Sequence, residues 1–151
     1  MAFPLPLPMR RALDLAREAG AIGEVPVGAV VMRGDRLIAT SANAMRGDHD
    51  PTAHAEIVAI RRAAAAIAAS RLDGCDLWVT LEPCAMCAGA IQHARIARLY
   101  YAATDPKGGA VVHGGRLFGQ PTCHHRPEVY AGIGEEESAA LLREFFAARR
   151  A

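Results

Sequence analysis

Apolar residues recur at Met9, Ala12, Leu13, Ala16 and Ala19, a spacing that lines up one face of a helix. Gly20 and Gly23 end it. Val27 to Met32 is an apolar run of strand length, and Arg33-Gly34-Asp35 reads as a tight turn into a second strand, Arg36 to Thr40. Ser41 to His49 is a polar loop. Asp50-Pro51 has the form of an N-cap followed by proline at the first helical position. The helix it predicts runs through Ile57, Ile60 and the alanines Ala63 to Ala66, to about Ala69.

Asp73-Gly74 turns the chain into a buried strand, Cys75 to Thr80. Pro83 is expected to open a helix to about His93, and Ile96 to Ala102 reads as strand. Thr104 to Thr122 is rich in glycine and predicts a loop, with a short turn at Arg116 to Phe118. A last short strand is expected at Glu128 to Gly132, and Gly134 breaks before a helix from Glu135 to Arg150. That helix carries Leu141, Leu142, Phe145 and Phe146 on its apolar side. The order α-β-β-α-β-α-β-(β)-α implies helices over both faces of a mixed sheet, a three-layer α/β/α arrangement with five strands. No linker or repeat divides it, so the expectation is one domain, 9–151, behind a flexible proline-rich start, 1–8.

Composition narrows the class. A chain of 151 residues suits one core, and 52% hydrophobic with 22% charged residues favours a globular protein over a disordered one. The formal net charge is +1, so any polyanion site must come from local clustering. The start lacks the basic and apolar regions of a secretory signal, and no apolar run reaches the ~18 residues of a membrane span. The expected location is the cytoplasm, with no membrane partner. Four cysteines in a reducing compartment point to metal or catalysis over disulfides.

Cys84 and Cys87 are three apart at an expected helix start, where one face can present both to a metal and the helix dipole favours thiolates. Alone, Cys-x-x-Cys also fits a redox pair or half of a zinc ribbon, but a ribbon needs a second such pair. Cys75 and Cys123 are single, and only His124-His125 offers further imidazoles nearby. His54, near the start of its own helix, completes three ligands. Glu56 is two residues on, off the face that His54 shares, and so is poorly placed as a fourth. Three protein ligands with a free position is the pattern of catalytic zinc, whereas structural zinc takes four.

His54-Ala55-Glu56 followed by Pro83-Cys84-Ala85-Met86-Cys87 resembles the signature of the zinc deaminases. More of the chain carries the resemblance: Glu24-Val25-Pro26-Val27-Gly28-Ala29-Val30, His49 to Glu56, Val79 to Cys84, Asp105-Pro106-Lys107-Gly108-Gly109-Ala110, and Leu141 to Phe146. From about Met9 onward the sequence resembles bacterial tRNA adenosine deaminases, within the cytidine deaminase-like superfamily.

That resemblance implies one zinc ion per subunit, no organic cofactor, a homodimer, and a tRNA anticodon stem-loop as partner. Glu56 would move the proton from the attacking water to the ring nitrogen and the leaving ammonia, turning a wobble adenosine into inosine. Asn43 matches the asparagine that hydrogen-bonds the base, and its amide both donates and accepts. Ala55, Asp105 and Lys107 match further substrate positions, and Asp105 can accept from a ribose hydroxyl. His124, His125 and Arg126 stand where the family has an anticodon-loop segment, though here Cys123-His124-His125-Arg126-Pro127 replaces the Asn-His-Arg of some relatives. An incidental exposed metal-binding cluster is the other reading of these histidines. Phe146 and Arg149 complete the expected RNA contacts, with one of Phe145 and Phe146 belonging to the RNA pocket; Arg143 and Arg150 add basic charge to the helix end.

Three other readings compete. A deaminase of free guanine, cytosine or a nucleoside would use the same chemistry, but Asn43, Asp105 to Gly108 and the Phe145-Phe146 helix fit the tRNA branch better. An inactive RNA-binding subunit would have lost the carboxylate that Glu56 supplies. A structural zinc protein would need a fourth ligand.

Overall fold

Residues 4–150 are described by the computed structural model; residues 1–3 of the expected flexible start, and residue 151, lie outside it. The first helix, α1 (Leu7–Ala21), buries the five apolar positions of the periodic face. It begins two residues before Met9 because Pro8 falls in the first turn, where proline removes no helical hydrogen bond. Strands β1 (Gly28–Arg33) and β2 (Arg36–Ala42) form a hairpin whose turn uses Gly34 at φ +58°. Helix α2 (Ala55–Ile67), strand β3 (Asp76–Leu81), helix α3 (Ala85–Ala94) and strand β4 (Arg98–Ala103) follow. A single helical turn at Leu117–Gly119, strand β5 (Glu128–Tyr130) and helix α4 (Glu135–Arg150) complete the chain.

The sheet order is β2-β1-β3-β4-β5. β1 is antiparallel to both β2 and β3, while β3-β4 and β4-β5 are parallel, so the sheet is mixed as expected. Alternation along β1 sends Ala29 and Val31 into the layer under α2 and α3, with Ala59, Ala63 and Ile91. Val30 faces the opposite layer, with Met9, Leu13 and Trp78. Gly28 allows α1 to lie close: a Cβ there would come 2.0 Å from the Ala12 carbonyl oxygen.

Two expected helix starts are corrected. The Asp50-Pro51 cap does not open α2. Asp50 instead accepts the backbone N–H of Thr52 at 2.8 Å and its hydroxyl at 2.7 Å, closing a local turn. The helical ladder begins with Val58 N–H to the His54 carbonyl, so His54 is the N-cap. Likewise Pro83 lies outside α3, whose N-cap is Cys84. Both shifts place candidate metal ligands at helix N-caps. The last strand stops at Tyr130, short of Gly132, which takes φ +83°.

Candidate active site and its metal ligands

The N-caps of α2 and α3 meet beyond the carboxyl end of β3, where ligands bind in open α/β sheets. His54 Nδ1 lies 3.6 Å from the Sγ of Cys84 and 3.6 Å from the Sγ of Cys87. A tetrahedral zinc with ordinary Zn–N and Zn–S bonds spaces its ligands about 3.6 Å apart, so the three donors fit that ion. Two soft thiolates and one imidazole are also the donor types zinc prefers. Among the described residues no other group of three His, Cys, Asp or Glu comes together this way.

Glu56 is buried at 4% exposure beside this cluster, in the first turn of α2. Burial pushes its carboxyl up to about 7, with the nearby Cys84 charge adding to the shift. A bound cation would draw it back down. The Cys87 thiol donates to Cys84, and with His54 this holds Cys84 down to about 4. The same shared proton and its burial push Cys87 up. His54 is raised, chiefly by its hydrogen bond with Cys84.

A pocket of about 260 Å³ opens over the cluster, lined by Val25, Val27, Asn43, Met45, Leu81 and Asp105 along with His54, Glu56 and Cys84. Drug-sized ligands occupy roughly 300–1,000 Å³, so this space suits a single base. Asn43 Oδ1 accepts the Ala55 N–H at 2.8 Å. That bond fixes the amide orientation and leaves the two side-chain N–H donors for a ligand. Ala55 is wholly buried and its N–H is committed to Asn43. Asp105 accepts the N–H groups of Lys107 and Gly108, shaping its own loop.

The model of the MafB19-like deaminase family matches residues 7–150. A tRNA-specific adenosine deaminase of Agrobacterium fabrum is 58% identical over 142 residues, covering 94% of this chain and 93% of the relative. This chain belongs to the tRNA-specific adenosine deaminase family. It is an enzyme of hydrolytic deamination. A solved structure from work on A-to-I editing by tRNA:A34 deaminases at the wobble position superposes with a TM-score of 0.88 at 58% identity, covering 89% of this chain and 98% of that one. The guanine deaminase of Nitrosomonas europaea is more distant, at TM-score 0.75 and 28% identity, covering 97% of this chain and 87% of that one.

The remaining candidate residues of this deaminase divide into two places. Lys107, Phe146 and Arg149 line a neighbouring groove with Leu142, Arg143 and Arg150. Phe145 is buried, with the Arg149 guanidinium 3.4 Å from its ring centroid, while Phe146 is 46% exposed. Phe146 is therefore the aromatic available to a ligand. His124, His125 and Arg126 do not share the pocket. The Gln92 side chain and Arg95 hold the His124 backbone, and His125 Nε2 bonds the Ile96 carbonyl. This is the far end of α3, a helix about 15 Å long by its ten residues.

Sequence reasoning passed over Glu24 and Glu82. Glu24 is buried and accepts the N–H of Arg46 and Gly47, both at 2.8 Å, holding the loop that carries Asn43 and Met45. Glu82 is buried too. Burial raises its carboxyl, but bonds from the Asp105 N–H, the His113 ring and the Val112 and Val111 N–H groups outweigh that and hold it below the usual range. The available signal was an acidic residue inside an apolar run, in Glu24-Val25-Pro26-Val27 and in Val79-Thr80-Leu81-Glu82.

Proposed function

We propose that this enzyme deaminates adenosine to inosine at the wobble position of a tRNA anticodon loop. His54, Cys84 and Cys87 would hold one zinc ion, and Glu56 is the proton-transfer residue. The observation that carries the reading is the placement of the buried Glu56 beside three zinc-type donors at the floor of a base-sized pocket. The relationship to tRNA-specific adenosine deaminases supports the substrate.

Zinc in this site supplies the Lewis acidity that makes water a nucleophile at neutral pH. A Glu56 carboxylate oxygen takes the proton of the attacking water and gives it to a ring nitrogen of adenine. The water oxygen adds at C6. Glu56 then takes the proton of that new hydroxyl and passes it to the amino nitrogen, and the bond from C6 to that nitrogen breaks to release ammonia and leave the 6-oxo base of inosine. Asn43 donates to the base and orients it. Asp105, on the pocket wall, accepts from a ribose hydroxyl, a group DNA lacks. Phe146 stacks a neighbouring base, and Lys107, Arg143, Arg149 and Arg150 meet the phosphates. Loop bases flip at low unstacking cost, which suits an enzyme that must expose C6.

Ala55 serves by fixing Asn43. The reading extends to a cytoplasmic homodimer, in which His124, His125 and Arg126 act away from the pocket of their own subunit. No helix among the described residues is long and apolar enough to cross a membrane. Incubation with an anticodon stem-loop bearing a wobble adenosine tests the reading, with inosine measured by nucleoside chromatography. Inosine in the stem-loop supports it; turnover of free guanine with the stem-loop untouched replaces it with nucleobase deamination.

A further inference from the structure

We propose that Glu82 is a positioning residue, whose buried carboxylate holds the segment from Asp105 to His113 in place as one wall of the substrate pocket. Its two oxygens are shared among donors of that segment alone. Oε1 accepts the Asp105 N–H at 2.9 Å and the His113 Nδ1 donor at 2.8 Å. Oε2 accepts three consecutive backbone N–H groups, from Val111 at 3.1 Å, Val112 at 3.0 Å and His113 at 3.2 Å. The segment carries no helix or strand, and outside these five bonds its one tie among the described residues to the preceding β3–α3 connection is the Ala110 N–H to the Pro83 carbonyl at 2.9 Å.

One glycine is packed against the carboxylate and a second against the backbone of the first. A Cβ on Gly109 would lie 2.4 Å from the Glu82 carboxyl carbon and 2.5 Å from Oε2. A Cβ on Gly114, at φ +52°, would lie 2.5 Å from the Gly109 carbonyl oxygen. The loop is thus wrapped around the buried charge, and Asp105 enters the pocket from the first of its five bonds. Losing the carboxylate would release the wall, and substrate would have to order it on binding. The inference rests on the substrate pocket assigned above.

The test uses the zinc-loaded enzyme and two readouts. Amide hydrogen exchange without RNA is compared between wild type, Glu82→Gln and Gly109→Ala, with zinc content measured alongside. Steady-state kinetics then follow on the wobble-adenosine stem-loop. Both variants are expected to speed exchange across 105–113 with segment 43–50 and zinc content unchanged, and to raise KM about tenfold at nearly constant kcat. Unchanged exchange at 105–113 overturns the proposal, and so does a fall in kcat with KM unmoved. Should those variants fail to fold, His113→Ala removes one donor from a partly exposed side chain. It is expected to give a smaller shift of the same kind, restored by His113→Asn; a shift without that rescue overturns the proposal. Exchange is read without substrate, so a wild type that leaves the stem-loop untouched defeats the functional reading and not this one.

Discussion

Asn43 Oδ1 accepts the backbone N–H of Ala55 at 2.8 Å, which ties the pocket-lining loop of Asn43 and Met45 to the residue between His54 and Glu56. One side chain thereby sets both its own orientation and the start of α2. Asn43→Asp keeps the acceptor and loses the two donors, so it is expected to fold normally while KM rises. Asn43→Ala also leaves the Ala55 N–H without its acceptor, at about 1–3 kcal/mol. Urea midpoints measured beside kinetics separate the two effects: Asp should alter kinetics alone, Ala both.

The proposed zinc ligands and the proposed proton-transfer residue are expected to separate cleanly. Cys84→Ser should lose bound zinc and activity together. Glu56→Gln should retain zinc and fold, with turnover reduced by ~10²–10⁴-fold, the usual worth of positioned proton transfer. Metal analysis of both purified variants beside their rates checks this; a Glu56→Gln enzyme of wild-type activity contradicts the mechanism.

Phe146→Ala is expected to weaken stem-loop binding by about 1–3 kcal/mol, the range for one base stacked on an aromatic ring. Phe145→Ala should instead lower stability, because Phe145 is buried under Arg149. Fluorescence titration of both variants, with thermal unfolding, distinguishes the exposed ring from the buried one.

These contrasts show where the sequence was legible. The periodic face of α1 and the β1–β2 hairpin were readable because burial on one side leaves a pattern with the period of the element. The deaminase signature picked out His54, Glu56, Cys84 and Cys87, which the fold brings together at one pocket, because that chemistry uses those residue types at that spacing. Asp50-Pro51 misled because the Asp50 side chain closes a turn on Thr52, a competing local use of a capping residue. Glu82 was hidden because its partners lie more than twenty residues away. The position of His125 was hidden for the same reason: its anchor is the Ile96 carbonyl.

Packing at Gly28 yields a stability effect far from the chemistry. The Ala12 carbonyl occupies the space of any Cβ there, so Gly28→Ala must push α1 off the sheet. Overpacking of this kind costs about 1–3 kcal/mol. A lowered denaturation midpoint with zinc still bound is expected.

Arg10 and Arg17 both pair with Glu137, joining α1 to α4. The Arg10 hydrogen bond leads in holding the Glu137 carboxyl below its ordinary 4.5. A folded value below the unfolded one means the contribution is complete above about 4.5 and is lost as pH falls through the folded value. Glu137→Gln is therefore expected to cost about 0.5–1 kcal/mol at neutral pH, since the groups are partly exposed. Urea denaturation at a series of pH values should show wild type and variant converging in acid.

Inosine formation tests the central claim most directly. Wild type and Glu56→Gln would each be incubated with an anticodon stem-loop carrying a wobble adenosine, and separately with free adenosine, adenine, cytosine and guanine. Inosine in the stem-loop alone, made by wild type and nearly absent with Glu56→Gln, is the expected result. Deamination of a free base or nucleoside with the stem-loop untouched would contradict it.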